Sequence, residues 1–159
     1  MKALVVYDSV FGNTEKVAQA IGSAMASQAA VEVAQAGACS VERLLGLDLL
    51  VVGSPTRGFR PTEAVTALLK GMTAKSLKGV KVAAFDTRLS ADDMESAAAR
   101  FFINTGGYAA KRIADRLKKA GAELVLPPEG FYVEDTEGPL KPGELTRAAE
   151  WATRAVAAA

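Results

Sequence analysis

A chain of 159 residues, 50% hydrophobic and 23% charged, has the size and composition of one globular domain with a full core. Its 19 Lys and Arg against 18 Asp and Glu leave a formal net charge of +1, so no bulk field draws it to nucleic acid or to an anionic membrane. Histidine is absent and Cys39 is the sole cysteine, which excludes Ser-His-Asp and Cys-His catalysis within the chain, histidine-ligated metals, internal disulfides and thiolate clusters. Redox chemistry would then need an organic cofactor. No run approaches transmembrane length, and Met1–Ser9 holds too short an apolar stretch for a signal peptide. A single cytoplasmic domain over residues 1–159, without membrane insertion, is expected.

The chain opens on Ala3-Leu4-Val5-Val6, nearly continuous in apolar residues, as in a strand buried on both faces. A polar loop, Asp8–Thr14, follows at once. Thr14, Val17, Ala18, Ile21 and Met25 then share one helical face. Val31–Ala34 is a weaker strand and Leu47–Val52 a strong one. Ala64, Val65, Leu68 and Leu69 mark the next helix, with Gly71 at its cap. Val80–Phe85 is the fourth strand. Ser90–Asn104 has no clear period, although Asp92 and Asp93 suit the opening of a helical turn. Ala110, Ile113, Ala114 and Leu117 make a further helix, capped near Gly121. Glu123–Leu126 is the fifth strand, and Phe131-Tyr132-Val133 resumes it after Pro127-Pro128. Glu134–Gly143 is polar and rich in Gly and Pro, so it reads as a surface loop. Leu145, Ala148, Ala149, Ala152 and Val156 form the last helix. This alternation predicts an α/β fold, a parallel sheet covered by helices on both faces, with right-handed crossovers. In such sheets ligands bind beyond the carboxyl ends of the strands, where the strand order reverses. The loops after strands one, three and four are therefore the candidate site.

The first of these loops joins a helix N-terminus, with its free N–H groups and positive dipole end, to the backbone freedom of Gly12. Ser9, Asn13 and Thr14 add hydroxyl and amide donors. The result is a phosphate cradle without a full positive charge. Plain helix capping by Asn13 is the alternative. Neither G-x-x-x-x-G-K-[ST] nor G-x-G-x-x-G occurs, so a nucleoside-triphosphate loop and a dinucleotide fingerprint are both lacking.

Ser9-Val10-Phe11-Gly12-Asn13-Thr14 resembles the FMN-phosphate loop of flavodoxins, usually Ser/Thr-x-Thr-Gly-x-Thr. Phe11 replaces the middle threonine, and an aromatic residue there is similar to the flavodoxin-like NAD(P)H:quinone oxidoreductases. Gly53-Ser54-Pro55-Thr56-Arg57 resembles the Gly-x-Pro-Thr-Arg run of the same reductases. The resemblance covers almost the whole chain. It implies a flavodoxin-like doubly wound five-stranded parallel sheet of order 2-1-3-4-5, and FMN as cofactor. It also implies that the Pro55–Phe59 loop lines the flavin, with Thr56 towards the ribityl-phosphate region and Arg57 and Gly58 beside the ring. Gly58 is the candidate for a carbonyl that turns towards the flavin on one-electron uptake, since glycine makes such a flip cheap. Phe59 suits either stacking on the ring or anchoring the next helix, and Arg57 and Arg60 suit either the ring or open solvent. The third loop, Phe85–Ser90, departs most from the family. It has neither a stacking tyrosine nor a Gly-rich segment. Asp86, Thr87 and Arg88 are its candidates for the ring edge, with its backbone N–H groups, while Leu89 packs where tyrosine would stack. Asp86 equally suits the cap of a turn.

Three functions follow. The leading one is an FMN-binding carrier that moves electrons between redox partner proteins with no catalytic side chain of its own. The others are an FMN-dependent NAD(P)H:quinone-type reductase with a small acceptor such as a quinone, and a flavodoxin-like interaction or regulatory domain that has lost FMN. Carrier flavodoxins are usually acidic. Here Arg57, Arg60 and Arg88 stand in the candidate loops and are expected to raise the second reduction potential relative to an acidic relative. Lys111, Arg112, Arg116, Lys118 and Lys119 read as a solvated helix face rather than a nucleic-acid site. Trp151 is expected at a core edge, Cys39 in a loop or at the core margin, and Phe101 and Phe102 in ordinary packing. Gly106-Gly107 before Tyr108 reads as a hinge or a tight loop. The oligomeric state is left open.

Overall fold

The apolar runs become strands because each can bury both faces in a parallel sheet. The computed structural model describes residues 1–159, apart from the side chains of Phe102 and Thr105 and the surroundings of Gly106, so the packing expected of Phe102 lies outside the described residues. The strands are β1 (Lys2–Tyr7), β2 (Ala30–Gln35), β3 (Leu49–Pro55), β4 (Lys81–Leu89), β5 (Glu123–Leu124) and β6 (Glu129–Val133). The helices are α1 (Asn13–Met25), α2 (Glu63–Lys70), α3 (Ala97–Gly106), α4 (Ala109–Lys119) and α5 (Glu144–Ala158). The sheet order is β2-β1-β3-β4-β5, every pairing is parallel, and β6 also pairs with β4.

Alternate residues of one strand serve two cores. Leu4, Val6, Leu50, Val52 and Val82 pack with α2 and α4 through Val65, Leu68, Ile113 and Leu117. Ala3, Val5, Leu49, Val51 and Phe85 pack with α1 and α5 through Val17, Ile21 and Trp151. Trp151, expected at an edge, is 1% exposed and meets Phe85 and Phe131 edge-on at 6.2 and 6.1 Å. Cys39 packs, half-buried, against the margin of the first core. Among the described residues, no helix is long and apolar enough to cross a membrane.

Two departures from the sequence reading shape the site. The fifth strand is split. β5 pairs only with Lys81 and Val82, and after Pro127-Pro128, which lack donors for a ladder, β6 pairs with Phe85 through Leu89. Because β6 and β3 flank it, β4 runs on to Leu89. Asp86, Thr87 and Arg88 are therefore strand residues, and the expected loop over Phe85–Ser90 shrinks to its last residue. The ambiguous stretch beyond holds a 3-10 turn at Ala91–Asp93 and then α3, capped where Ser96 Oγ accepts from Ala99 N–H at 3.2 Å. Among its described residues this helix buries little, which leaves no clear period in the sequence. Ile103 is 2% exposed, but Phe101, expected to pack, is 65% exposed. Gly107 links α3 to α4 as a tight junction at φ 76°.

Candidate functional site

At the carboxyl end of the sheet, four segments converge on one cleft of about 260 Å³. Val10, Phe11, Asn13 and Thr14 come from the loop after β1 and the start of α1. Pro55, Thr56, Arg57 and Gly58 come from the end of β3. Thr87, Arg88 and Leu89 end β4, Val133 ends β6, and Thr136 follows it.

The first loop is shaped by its own hydroxyl. Ser9 Oγ accepts from the Gly12 and Glu15 N–H groups at 3.1 and 3.3 Å, which leaves its O–H free to donate. The N–H groups of Val10, Phe11, Asn13 and Thr14 find no protein acceptor among the described residues. They sit at the positive end of α1. Thr14, 1% exposed, meets Thr87 hydroxyl to hydroxyl at 2.7 Å, which ties the first loop to β4. Asn13 does not cap α1. Its Nδ2 donates to the Glu137 carbonyl at 3.1 Å and fastens the Glu134–Gly143 loop over the helix start. Gly138 makes that approach possible: its φ is +102°, and a Cβ there would lie 2.6 Å from Asn13 Oδ1.

The second loop is a tight hairpin. Arg57 and Arg60 exchange N–H···O bonds of 2.8 and 3.0 Å around Gly58 and Phe59, at φ 53° and 67°. This is the two-residue turn that favours glycine, and Phe59 occupies it against its preference. Phe59 is half-buried and does not line the cleft, whereas Gly58 does. The Arg57 guanidinium stands 5.5 Å over the Phe11 ring and joins the first two loops at the mouth.

Asp86 faces inward. It is 0% exposed, receives Arg88 at 2.6 and 2.8 Å on its two oxygens, and accepts the Ala110 N–H at 2.8 Å. Burial pushes its carboxyl above the usual range, opposed by Arg88 and by that N–H. With Thr56 accepting the Ala109 N–H at 3.0 Å, it caps α4. So Asp86 takes the capping role, not the ring edge. Arg88 lies 3.7 Å over the Tyr108 ring, whose hydroxyl donates to the Leu89 carbonyl at 3.2 Å. Its charge is balanced by Asp86, so of the three arginines expected to act on a cofactor, Arg57 and Arg60 remain without a carboxylate partner among the described residues.

Of the sequence candidates, Val10, Phe11, Asn13, Thr14, Pro55, Thr56, Arg57, Gly58, Thr87 and Arg88 line the cleft, while Ser9 and Gly12 shape its first loop through the bond from the Gly12 N–H to Ser9 Oγ. Phe59 and Asp86 support it from outside the wall. Sequence reading missed Val133, Thr136 and the Glu137 carbonyl. The only signal for them was Gly138-Pro139, a marker of a constrained loop without a location.

The lining suits an amphipathic anion. Hydroxyls, an amide and free N–H groups form the floor, and Val10, Phe11, Leu89 and Val133 form an apolar rim. No carboxylate lines the cleft among the described residues. A phosphate at one end and a flat ring at the other match this arrangement.

The flavodoxin family model matches residues 5–151. No curated protein matches the sequence. Flavodoxin 2 from Bacillus cereus is 24% identical, over 98% of this chain and 97% of that one, with a TM-score of 0.76. The flavodoxin of Streptococcus pneumoniae is 15% identical over the whole of both chains, with a TM-score of 0.77. The rubredoxin oxygen:oxidoreductase of Desulfovibrio gigas is 18% identical, over 99% of this chain but 35% of that one, with a TM-score of 0.74. These likenesses show a shared fold. The family match runs almost end to end over a sheet of the expected strand order, and the chain therefore belongs to the flavodoxin family, FMN-binding proteins that transfer electrons to redox partners.

Proposed function

We propose that this chain is an electron carrier that holds FMN in the cleft described above and has no catalytic side chain of its own. The Val10, Phe11, Asn13 and Thr14 N–H groups, with the Ser9 and Thr14 hydroxyls, would hold the phosphate. Pro55, Thr56 and Thr87 would line the ribityl chain, and Arg57, Gly58 and Leu89 would flank the ring. When bound, FMN supplies one- and two-electron transfer. The chain's part is to bind it, bar water from the Val10, Phe11 and Val133 side, and set the charge around it. Phe59 keeps the hairpin in place, and Asp86 orients Arg88. Gly58, already at positive φ, lacks the Cβ that would resist a turn of its peptide. Arg57, at the mouth, favours the reduced, anionic state of a bound flavin.

The observation that carries this reading is a floor of unpaired donors at a helix N-terminus, in a cleft that no carboxylate lines among the described residues. A cytoplasmic place of work belongs to the same reading, supported by the single unpaired thiol of Cys39, which suits a reducing compartment. The test is to load purified protein with FMN, desalt it, and add NADH or NADPH without oxygen. A carrier keeps its visible flavin bands for many minutes until an external reductase is supplied. Rapid bleaching by the isolated protein would make it a reductase instead.

A further inference from the structure

Arg112 and Arg116 stand one turn apart on α4, and Thr66 and Lys70 one turn apart on α2. Between them runs a groove of about 330 Å³, which Arg60 and Pro61 border at its hairpin end. Four cations line it, and no carboxylate does among the described residues. Arg60, Lys70, Arg112 and Arg116 are exposed, and none makes an ion pair among the described residues. Their neighbours differ, since Lys111 and Lys118 both pair with Asp115. The groove is not isolated. Arg60, Pro61, Thr66 and Lys70 also line a shallow trough whose far side includes Val10 and Arg57, and those two residues line the cofactor cleft. Asp8 and Glu63 lie in the trough, so the positive excess is greatest at the α2/α4 end. Across the cleft, Glu134, Asp135 and Glu137 stand exposed on the opposite loop. A chain of net charge +1 thus presents a basic bank and an acidic bank at one cleft.

We propose that the basic strip from Arg57 to Arg116 docks the acidic face of a redox partner protein, so that the partner's redox centre meets the cofactor at the cleft mouth. This rests on the FMN reading above. Two features favour a protein over a small anion. The cations are spread over a hairpin and two helices, all in solvent, with no buried donor to fix a single phosphate. The strip also ends where an electron would leave. Complementary charge of this kind steers encounter and raises the association rate.

The probe is a reduced acidic [2Fe–2S] ferredoxin, with basic cytochrome c as the contrasting protein, each mixed with FMN-loaded chain. The test variant is Arg112→Glu with Arg116→Glu, both outside the cleft. Reduction of the flavin by the ferredoxin should slow about tenfold between low salt and ~0.3 M salt, where surface charges are screened. The double variant should be about tenfold slower at low salt and lose this salt dependence. A wild-type rate that stays flat or rises with salt, or a variant as fast as wild type, would overturn the proposal. So would NADPH that competes with the ferredoxin and reduces the flavin itself. Visible bands report FMN loading separately, so failure of the FMN reading shows as colourless protein. In that event equilibrium binding of the ferredoxin at low salt, which needs no flavin, decides the docking face. Binding lost in the double variant supports it, and no binding to wild type contradicts it.

Discussion

Thr14 and Thr87 close the floor of the cleft with one buried hydroxyl contact, and each loses its partner if the other is replaced. Thr14→Val keeps the shape, strands the Thr87 hydroxyl and removes a donor from the floor. A stability loss of about 1–2 kcal/mol is expected in denaturant melts, the cost of one unpaired buried polar group. The arginines separate two roles that their sequence positions leave merged. Arg57→Ala should lower the second reduction potential, on the order of 100 mV before screening for one charge at ~6 Å. A redox titration that finds no change would remove Arg57 from the cofactor's electrostatics. Arg88→Ala instead leaves the buried Asp86 carboxylate without its cation, held by the Ala110 N–H and the Thr56 hydroxyl alone. Unfolding should then show a loss of about 3 kcal/mol, as when one member of a buried pair is deleted. A variant as stable as wild type would show that the pair does not hold the end of β4.

At the scale of elements, α5 is strapped to β6 by Arg147. Its guanidinium binds Glu144 at 2.7 and 2.9 Å, Glu129 at 3.1 Å and the Gly130 carbonyl, and lies 4.6 Å over the Phe131 ring. Glu144 also accepts the Tyr132 N–H at 2.7 Å. Burial pushes the Glu144 carboxyl up, but Arg147 and that N–H outweigh it and hold the group below its ordinary value of 4.5. A carboxyl lowered in the folded state binds fewer protons there than in the unfolded chain. Its stabilisation is thus complete above about pH 4.5 and is lost as pH falls through the lower folded value. Arg147→Met should cost about 2–3 kcal/mol at neutral pH and flatten this acid limb of the stability curve. Thermal melts from pH 3 to 7 check both, and an unchanged acid limb would show that the strap is not the source. The same region shows where the sequence is opaque. Pro127-Pro128 announces a break in the fifth strand, but the resumed pairing of β6 beside Phe85–Leu89 depends on a register that no local pattern encodes. That pairing turned an expected loop into strand. By contrast the helices α1, α2, α4 and α5 were legible from period alone, since each buries one stripe against the sheet.

For the whole molecule, alternation of apolar runs with amphipathic stretches foretold the parallel sheet, and the motif after β1 foretold a loop that lines the cleft. Both signals are local. The fourth wall of the cleft was not legible, because it is made by a contact across 124 residues, from Asn13 to the Glu137 carbonyl. Gly138→Ala tests that wall: a Cβ against Asn13, at a φ that disfavours it, should loosen the loop and weaken FMN binding about tenfold in a fluorescence titration. Unchanged affinity would take the loop out of the binding surface. The most direct measurement compares FMN with riboflavin, titrated into apoprotein by quenching of flavin fluorescence, for wild type and Thr14→Val. If the β1–α1 loop holds the phosphate, wild type binds FMN about 100-fold more tightly than riboflavin, and Thr14→Val closes much of that gap while leaving riboflavin nearly unaffected. Equal affinity of wild type for the two flavins would contradict the account, because a cradle of free donors at the start of α1 has no purpose that a phosphate-free ligand serves as well.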